Sequence, residues 1–463
     1  MTNVDRSAPP AGISPNGAGA PPVARLDDTR LDRTALYFVS YDGLVNTASY
    51  QQSGILTWAG HQYAAWYTAS RQVVLARRPV GSGIAGDWQR LALPHSLSTY
   101  DSHNTISLGV SPADGRLHVA MDTHDTPVHY VRSEAGLVAD PARRDWRATR
   151  FGRVHRDLDG ADLGGISYPR FLAAPDGRLQ LSYRTGHSSN GRMELAEYHD
   201  GRWNLLGPWT SATGTYAANG ATSTTRNLYL HGLTYDGTGR LHAAFTWRER
   251  TAVLGDPGGL ANHDTGYAYS DDTGRTWRNN AGEPVATTGG PTLLSLTSPG
   301  HVVDPLGVDH ALINQESQAV DSTGQPHVVI SYVPARFTPC VTSFVAQRRS
   351  HGRIFHLRRE PAGTWHKTEI PVPLNAFGRT RIVLDAADNA YLVLPYGRIV
   401  AASRASGWTD WALRFDGAGL NAFGEVVVDE HRVRSQGVLS VLYQQRSTGT
   451  RPSPLRVADF RLG

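Results

Sequence analysis

The chain has 463 residues, including 48 Gly, 27 Pro, 11 Trp and 19 Tyr, and a formal net charge of +4; no run of 18 apolar residues exists, so the sequence holds no membrane-spanning helix. Of its 45 basic residues all but Lys367 are arginine, whose planar fork suits carboxylates. No long basic run or nucleic-acid motif marks a nucleic-acid binder, and a single cysteine, Cys340, excludes an internal disulfide.

Residues 1–28 are rich in Pro, Gly, Ala and Ser without the apolar stretch of a signal peptide, and residues 1–35 are expected to form a disordered tail. From Leu36 onward a unit recurs: two strands around a D-x-x-G or D-G turn, then a strand, a short polar turn and a tryptophan. The first halves are SPADGRLHVAMD (111–122), APDGRLQLSYRT (174–185), YDGTGRLHAAFTWR (235–248), DSTGQPHVVISY (321–332) and DAADNAYLVLPY (385–396). The second halves end on Trp88, Trp146, Trp203, Trp277, Trp365 and Trp411. Repeats of roughly 40–60 residues, each with four short strands, match blades of a β-propeller. Strands within 426–460 add to the six tryptophan-ending units, so an all-β, seven-bladed β-propeller over residues 36–463 is expected as a single domain, with eight blades the alternative. Residues 36–41 are expected to pair into the last blade and close the ring. The run SDDTGRTW (270–277) is an Asp-box turn, which marks the fold and not an activity.

Residues that break a repeat on one face are the functional candidates, because blade packing does not require them. In residues 98–133, His103 precedes one strand and His124 follows the next, so a hairpin turning at 112–115 puts both at its open end. The same logic places Tyr168, in GGISYPR, and Arg184, in SYRTG, at an open end of the following unit. Two histidines, a tyrosine and an arginine suit β-elimination from a uronic acid: the arginine offsets charge on the carboxylate as the C5 proton leaves, and His and Tyr act as base and acid. Asp101, Asp122 and Asp125 flank the histidines and read as orienting groups. A glycosidase would need two opposed carboxyl groups; a sialidase-like propeller hydrolase and a non-catalytic carbohydrate-binding propeller are the alternatives.

A second band supplies His231, Arg248, Asn262 and His263 as candidates for further subsites, and Trp66, Tyr67, Trp247 and Tyr396 as candidate sugar-stacking rings. Insertions at 134–144 and 251–263 are candidates for walls at one end of a cleft. Cys340, His327, His351 and His356 are a candidate structural metal set, although their spacing matches no compact zinc motif.

The segments DSHNTISLGVSPADGRLHVAMDTHD, ISYPRF, LSYRTG, YLHGLTYDGTGRLHAAFTWRE, NHDTGYAYSDDTGRTW and INQESQAVDSTGQPHVVISY together resemble the BNR-repeat seven-bladed propeller polysaccharide lyases. These include ulvan lyases and the L-rhamnose-α-1,4-D-glucuronate lyases that act on gum arabic. The resemblance covers about residues 36–411. It implies a lyase cleaving the bond to O4 of a glucuronate, with His103 and His124 as the active-site histidines, Tyr168 as the catalytic tyrosine and Arg184 as the carboxylate-neutralising arginine. Asn104 and Arg226 are implied substrate contacts. The expected partner is an acidic uronate-containing polysaccharide, met outside the cell by a monomer, with no cofactor in the chemistry.

Overall fold

The computed structural model describes residues 19–40, 44–51, 53–250 and 261–463. The repeat turns form because each opening aspartate is its own cap. Asp236 Oδ1 accepts from the backbone N–H groups of Thr238 (2.8 Å) and Arg240 (2.9 Å). Asp321 does the same for Thr323 and Gln325, and Asp385 for Ala387 and Asn389. The glycine of the motif supplies the left-handed residue, with φ of 93° at Gly239 and 79° at Gly324. Each turn joins two antiparallel strands, and strands such as Pro326–Tyr332 are buried along their whole length because neighbouring sheets cover both faces.

Seven sheets are present among the described residues. In chain order their innermost strands are Ile55–Trp58, Ser107–Ser111, Ile166–Ala173, Ala221–Tyr235, Ser317–Val320, Arg381–Leu384 and Val427–Val428, and the first of them lies beside both the second and the last. Apolar clusters lie between adjacent sheets; Leu75 and Leu91 of the first, for example, pack with Leu117 and Val131 of the second.

The expectation of seven like blades is corrected to six full blades of four or more strands. The remaining sheet, Ser107–Ser111, Arg116–Met121 and His129–Arg132, has three. Where its fourth strand would run, the chain makes only isolated bridges, Tyr130 to His155 and Ser133 to Phe151. Trp146 therefore marks a repeat whose outer strand is only sketched. The chain between this sheet and the next also departs from the repeat: His124–Thr126 adds to the Ile166–Ala173 edge of the following blade, with His124 opposite Ser167.

The tail expectation is corrected too. Val23–Ala35 is a 13-residue strand paired antiparallel with Ser453–Leu462, from Val23 opposite Leu462 to Ala35 opposite Ser453. This strand, and not residues 36–41, closes the ring; residues 1–18 and Tyr41 lie outside the described residues. The seam is tied further by Asp429, which accepts from Thr57 N (3.1 Å) and Gln62 Nε2 (2.7 Å) of the first blade. Across the same join the buried Arg78 meets Asp459 at 2.8 Å.

Removal of residues 1–35 is expected to expose Ser453–Leu462 as an open edge and to lower the thermal midpoint by several degrees or more. An unchanged midpoint in a scanning calorimeter would show that closure does not depend on this strand.

Candidate active site

His103 and His124 lie face to face, ring centroids 4.4 Å apart, because the hairpin Ser107–Met121 returns the chain to the end where it began. One carboxylate holds both. Asp101 Oδ1 is 2.5 Å from His103 Nδ1, and Oδ2 is 2.7 Å from His124 Nδ1. Facing a carboxylate, each Nδ1 carries the proton, which leaves Nε2 of each ring as the basic nitrogen. Burial opposes the charge on Asp101, but the hydrogen bonds from His103 and His124 outweigh it and hold the carboxyl well below the usual range. Burial pushes His124 down, the Asp101 hydrogen bond opposes this, and the net direction is downward. His124 is therefore neutral at neutral pH.

Tyr168 reaches these rings through a local defect. The pairing of Ile166–Ala173 with Leu179–His187 slips between Ser167 and Arg170, and within that bulge Tyr168 has φ of 56°. A left-handed aromatic residue ahead of Pro169 is strained, at a cost of roughly 1–3 kcal/mol, and a bulge of this kind re-aims a side chain. The ring lies 5.3 Å from that of His124 and 6.2 Å from that of His103. Burial raises the Tyr168 hydroxyl well above its ordinary range, with the neighbouring Tyr229 adding to the rise, so it is a protonated phenol.

Arg184 is 1% exposed. Its Nη2 donates to Asp125 Oδ1 (2.7 Å) and Ser167 Oγ (2.8 Å), its Nη1 to the Tyr229 hydroxyl (3.1 Å). The guanidinium lies 5.2 Å from the Tyr168 ring. Its buried Nε has no acceptor among the described residues.

Three further residues complete the wall. Tyr229 sits between Arg184 and Arg248, whose guanidinium is 5.7 Å from the ring; burial raises its hydroxyl, but these two charges outweigh burial and lower it. Tyr50 stacks on His103 at 4.8 Å, and the Arg379 guanidinium lies 4.5 Å from the Tyr50 ring. Tyr50 and Arg379 come from irregular segments far apart in the chain, and no sequence signal marks them. Tyr229 opens a segment singled out in the sequence, and its place on a strand beside Arg248 was the available clue.

Of the other candidates, Arg248 joins this group, and its Nε donates to Asn262 Oδ1 (2.6 Å). Asn104 is buried behind it, donating to Asp122 Oδ1 (2.8 Å). Arg226 and His263 form a separate buried cluster on Glu249, at 2.6 and 3.2 Å. His231 is buried on an inner strand and accepts from Glu316 N (3.2 Å). All four are buried with these partners. Trp66, Tyr67 and Trp247 are likewise buried in blade packing and offer no sugar-stacking face. Of the two insertions, 251–260 lies outside the described residues.

The Cys340 metal set is not assembled: His327 and His356 meet at 2.9 Å in the core, while Cys340 Sγ faces Asp309 and His351 stacks on Phe337. Two other groups among the described residues have metal-ligand chemistry, Asp101/His103/His124 and His95/Asp122/His129.

The fold is similar to that of polysaccharide lyase Uly1, with a TM-score of 0.71 at 17% identity, covering 95% of this chain and 99% of that one. It is also similar to a PL25 ulvan lyase structure, with a TM-score of 0.62 at 13% identity and coverage of 93% and 95%. In sequence, 275 residues are 25% identical to the long isoform of ulvan lyase from Alteromonas sp., covering 50% of this chain and 26% of the relative. A further 25% identity over 270 residues is found with the short isoform from Alteromonas sp. (strain LOR), covering 48% and 49%. The matched region thus spans about a quarter to a half of the curated relatives. The model of the BNR repeat-containing family matches residues 61–372, well over half of the chain and including Asp101, His103, His124, Tyr168, Arg184, Tyr229 and Arg248 of the site, and the chain belongs to that family.

Proposed function

We propose that the chain is a polysaccharide lyase that cleaves the bond to O4 of a glucuronate by β-elimination. The observation that carries the reading is the pair of imidazoles held through Nδ1 on one carboxylate, with a protonated phenol and a buried guanidinium beside them. In this reading His124 Nε2 takes the C5 proton, the C–H electrons form the C4–C5 double bond, and the C4–O4 bond breaks with its electrons on oxygen. The Tyr168 hydroxyl gives O4 its proton. Arg184, whose guanidinium lies 5.2 Å from the Tyr168 ring, offsets the charge that builds on the uronate carboxylate. His103 keeps Asp101 and His124 in register, and the chemical step uses no cofactor.

Hydrolysis is the weaker reading: most glycosidases need two opposed carboxyl groups and a sialidase-like enzyme a tyrosine nucleophile paired with a glutamate, while the carboxylates near the site are committed. Both oxygens of Asp101 serve histidines, Asp125 serves Arg184 and Ser167, and Asp122 is buried on His95, Ser98 and Asn104. The relatives are ulvan lyases, and the PL25 ulvan lyase fold is also known bound to -[GlcA(1-4)Rha3S]-. Both support an acidic rhamnose–glucuronate polymer as the substrate. We further propose that residues 36–463, together with the closing strand Val23–Ala35, act as a single domain, as a monomer, outside the cell.

Elimination is expected to give an ultraviolet-absorbing unsaturated uronate with no solvent oxygen in the sugar. Label from isotopically enriched water at the new chain end, without the absorbance, would establish hydrolysis instead. His103→Ala and Tyr168→Phe are each expected to suppress the absorbance while leaving the circular dichroism spectrum unchanged.

Arg184→Lys keeps the charge but loses the fork, and Asp101→Asn replaces the acceptor that fixes both imidazole tautomers. Each is expected to lower kcat roughly a hundredfold or more. Activity within about twofold of the unmodified chain would move the assigned role elsewhere.

Because the pKa of His124 is lowered, the base should remain in its active form down to a pH of about 6.5, and kcat/KM should fall only below that. The native state binds fewer protons than the unfolded chain at this group, so its stability contribution is also present at neutral pH and is lost as pH falls through the lowered value. An acidic limb beginning above pH 7.5 would exclude His124 as the base.

A further inference from the structure

We propose that His95, Asp122 and His129 form a binding site for one divalent transition-metal ion of the zinc class, distinct from the catalytic group. Two imidazoles and one carboxylate are a donor set zinc uses widely, with water completing the tetrahedron. One donor atom from each residue lies within 4.8 Å of those of the other two, and the two rings are 4.6 Å apart. Zinc bonds of about 2.1 Å imply ligands roughly 3.4 Å apart, so closure needs a convergence of up to about 1.4 Å, within reach of ring rotation.

The surroundings are arranged as those of a metal ligand set. Asp122 is fully buried, and its Oδ1 is occupied by Asn104. Its Oδ2 faces His95 Nε2 at 3.0 Å and His129 Nδ1 at 3.9 Å. His129 Nδ1, 3.9 Å from Asp122 Oδ2, donates to the Asp122 carbonyl at 2.8 Å, a backbone hydrogen bond that fixes its tautomer, and the ring turns to bring Nε2 to the ion. On binding, His95 shifts its ring proton from Nε2 to Nδ1 and presents Nε2, exchanging its hydrogen bond to Asp122 for a shared ion. The side chains of His95 and His129 keep 14% and 12% of their surface exposed, which leaves the ion a way in.

The three residues come from the end of Gln89–Ser96, the end of the hairpin after Met121 and the start of His129–Arg132. An ion here staples the three-stranded sheet to the blade before it, at the place where the fourth strand is missing.

The test uses the full chain stripped with a chelator and titrated with ZnCl2, read by isothermal calorimetry and thermal melting. The expected result is one equivalent bound and a midpoint raised by several degrees. His95→Gln and His129→Gln, made singly so that either folded variant suffices, should each weaken binding at least roughly tenfold and abolish the rise in midpoint. His124→Gln should leave both intact. Absence of zinc binding, or binding that survives both substitutions and is lost with His124→Gln, would overturn the proposal, the latter by placing the ion on Asp101, His103 and His124.

Discussion

The structure depends on one join. A ring of sheets holds its shape only if the first and last are bound to each other, and here Val23–Ala35 lies along Ser453–Leu462 to make that bond. The strand is an unusual one, with charged residues through much of its length and only Leu31 and Ala35 buried. Its contribution comes from backbone pairing and from ionic contacts such as Arg456 with Asp28 at 2.8 Å. With the ring closed, the loops between sheets have fixed neighbours, and side chains from distant segments meet: Tyr50 touches Tyr168, and Arg379 covers Tyr50.

Within that frame the chemistry rests on competition between burial and charge. Burial alone raises acids and lowers bases, and each site residue is set by what opposes it. Asp101 stays ionised because two imidazoles donate to it. Tyr168 lies 6.0 Å from Tyr229, with Arg184 near both rings, and burial outweighs the nearby Arg184 and Arg379 charges to keep it a protonated phenol.

What could be read in the sequence was local. Asp236, Asp321 and Asp385 close their turns within four residues, and the Asp-box carries its whole geometry in one octapeptide, with Asp272 Oδ1 accepting from Thr276 N at 2.7 Å and Trp277 buried against Trp209. His103 and His124 were legible because a single hairpin joins them. Tyr229, Tyr50 and Arg379 were not, because closure of the ring and no sequence spacing brings them together. The outer strand announced by Trp146 reduces to two bridges, since six arginines between 143 and 156 favour solvent over a paired edge. Val23–Ala35 was read as tail because an edge strand held by backbone and ion pairs lacks the apolar alternation that reveals a buried one.

The seam has a consequence for how such a chain can be rearranged. Val23 and Leu462 are register partners on adjacent strands, separated by the usual interstrand spacing of about 5 Å. A two-residue turn would span that gap. The order in which the blades are encoded is then a convention: the same ring can be written starting from any solvent-exposed turn between outer strands, and a circularly permuted gene would specify the same neighbours for His103, Tyr168 and Arg184.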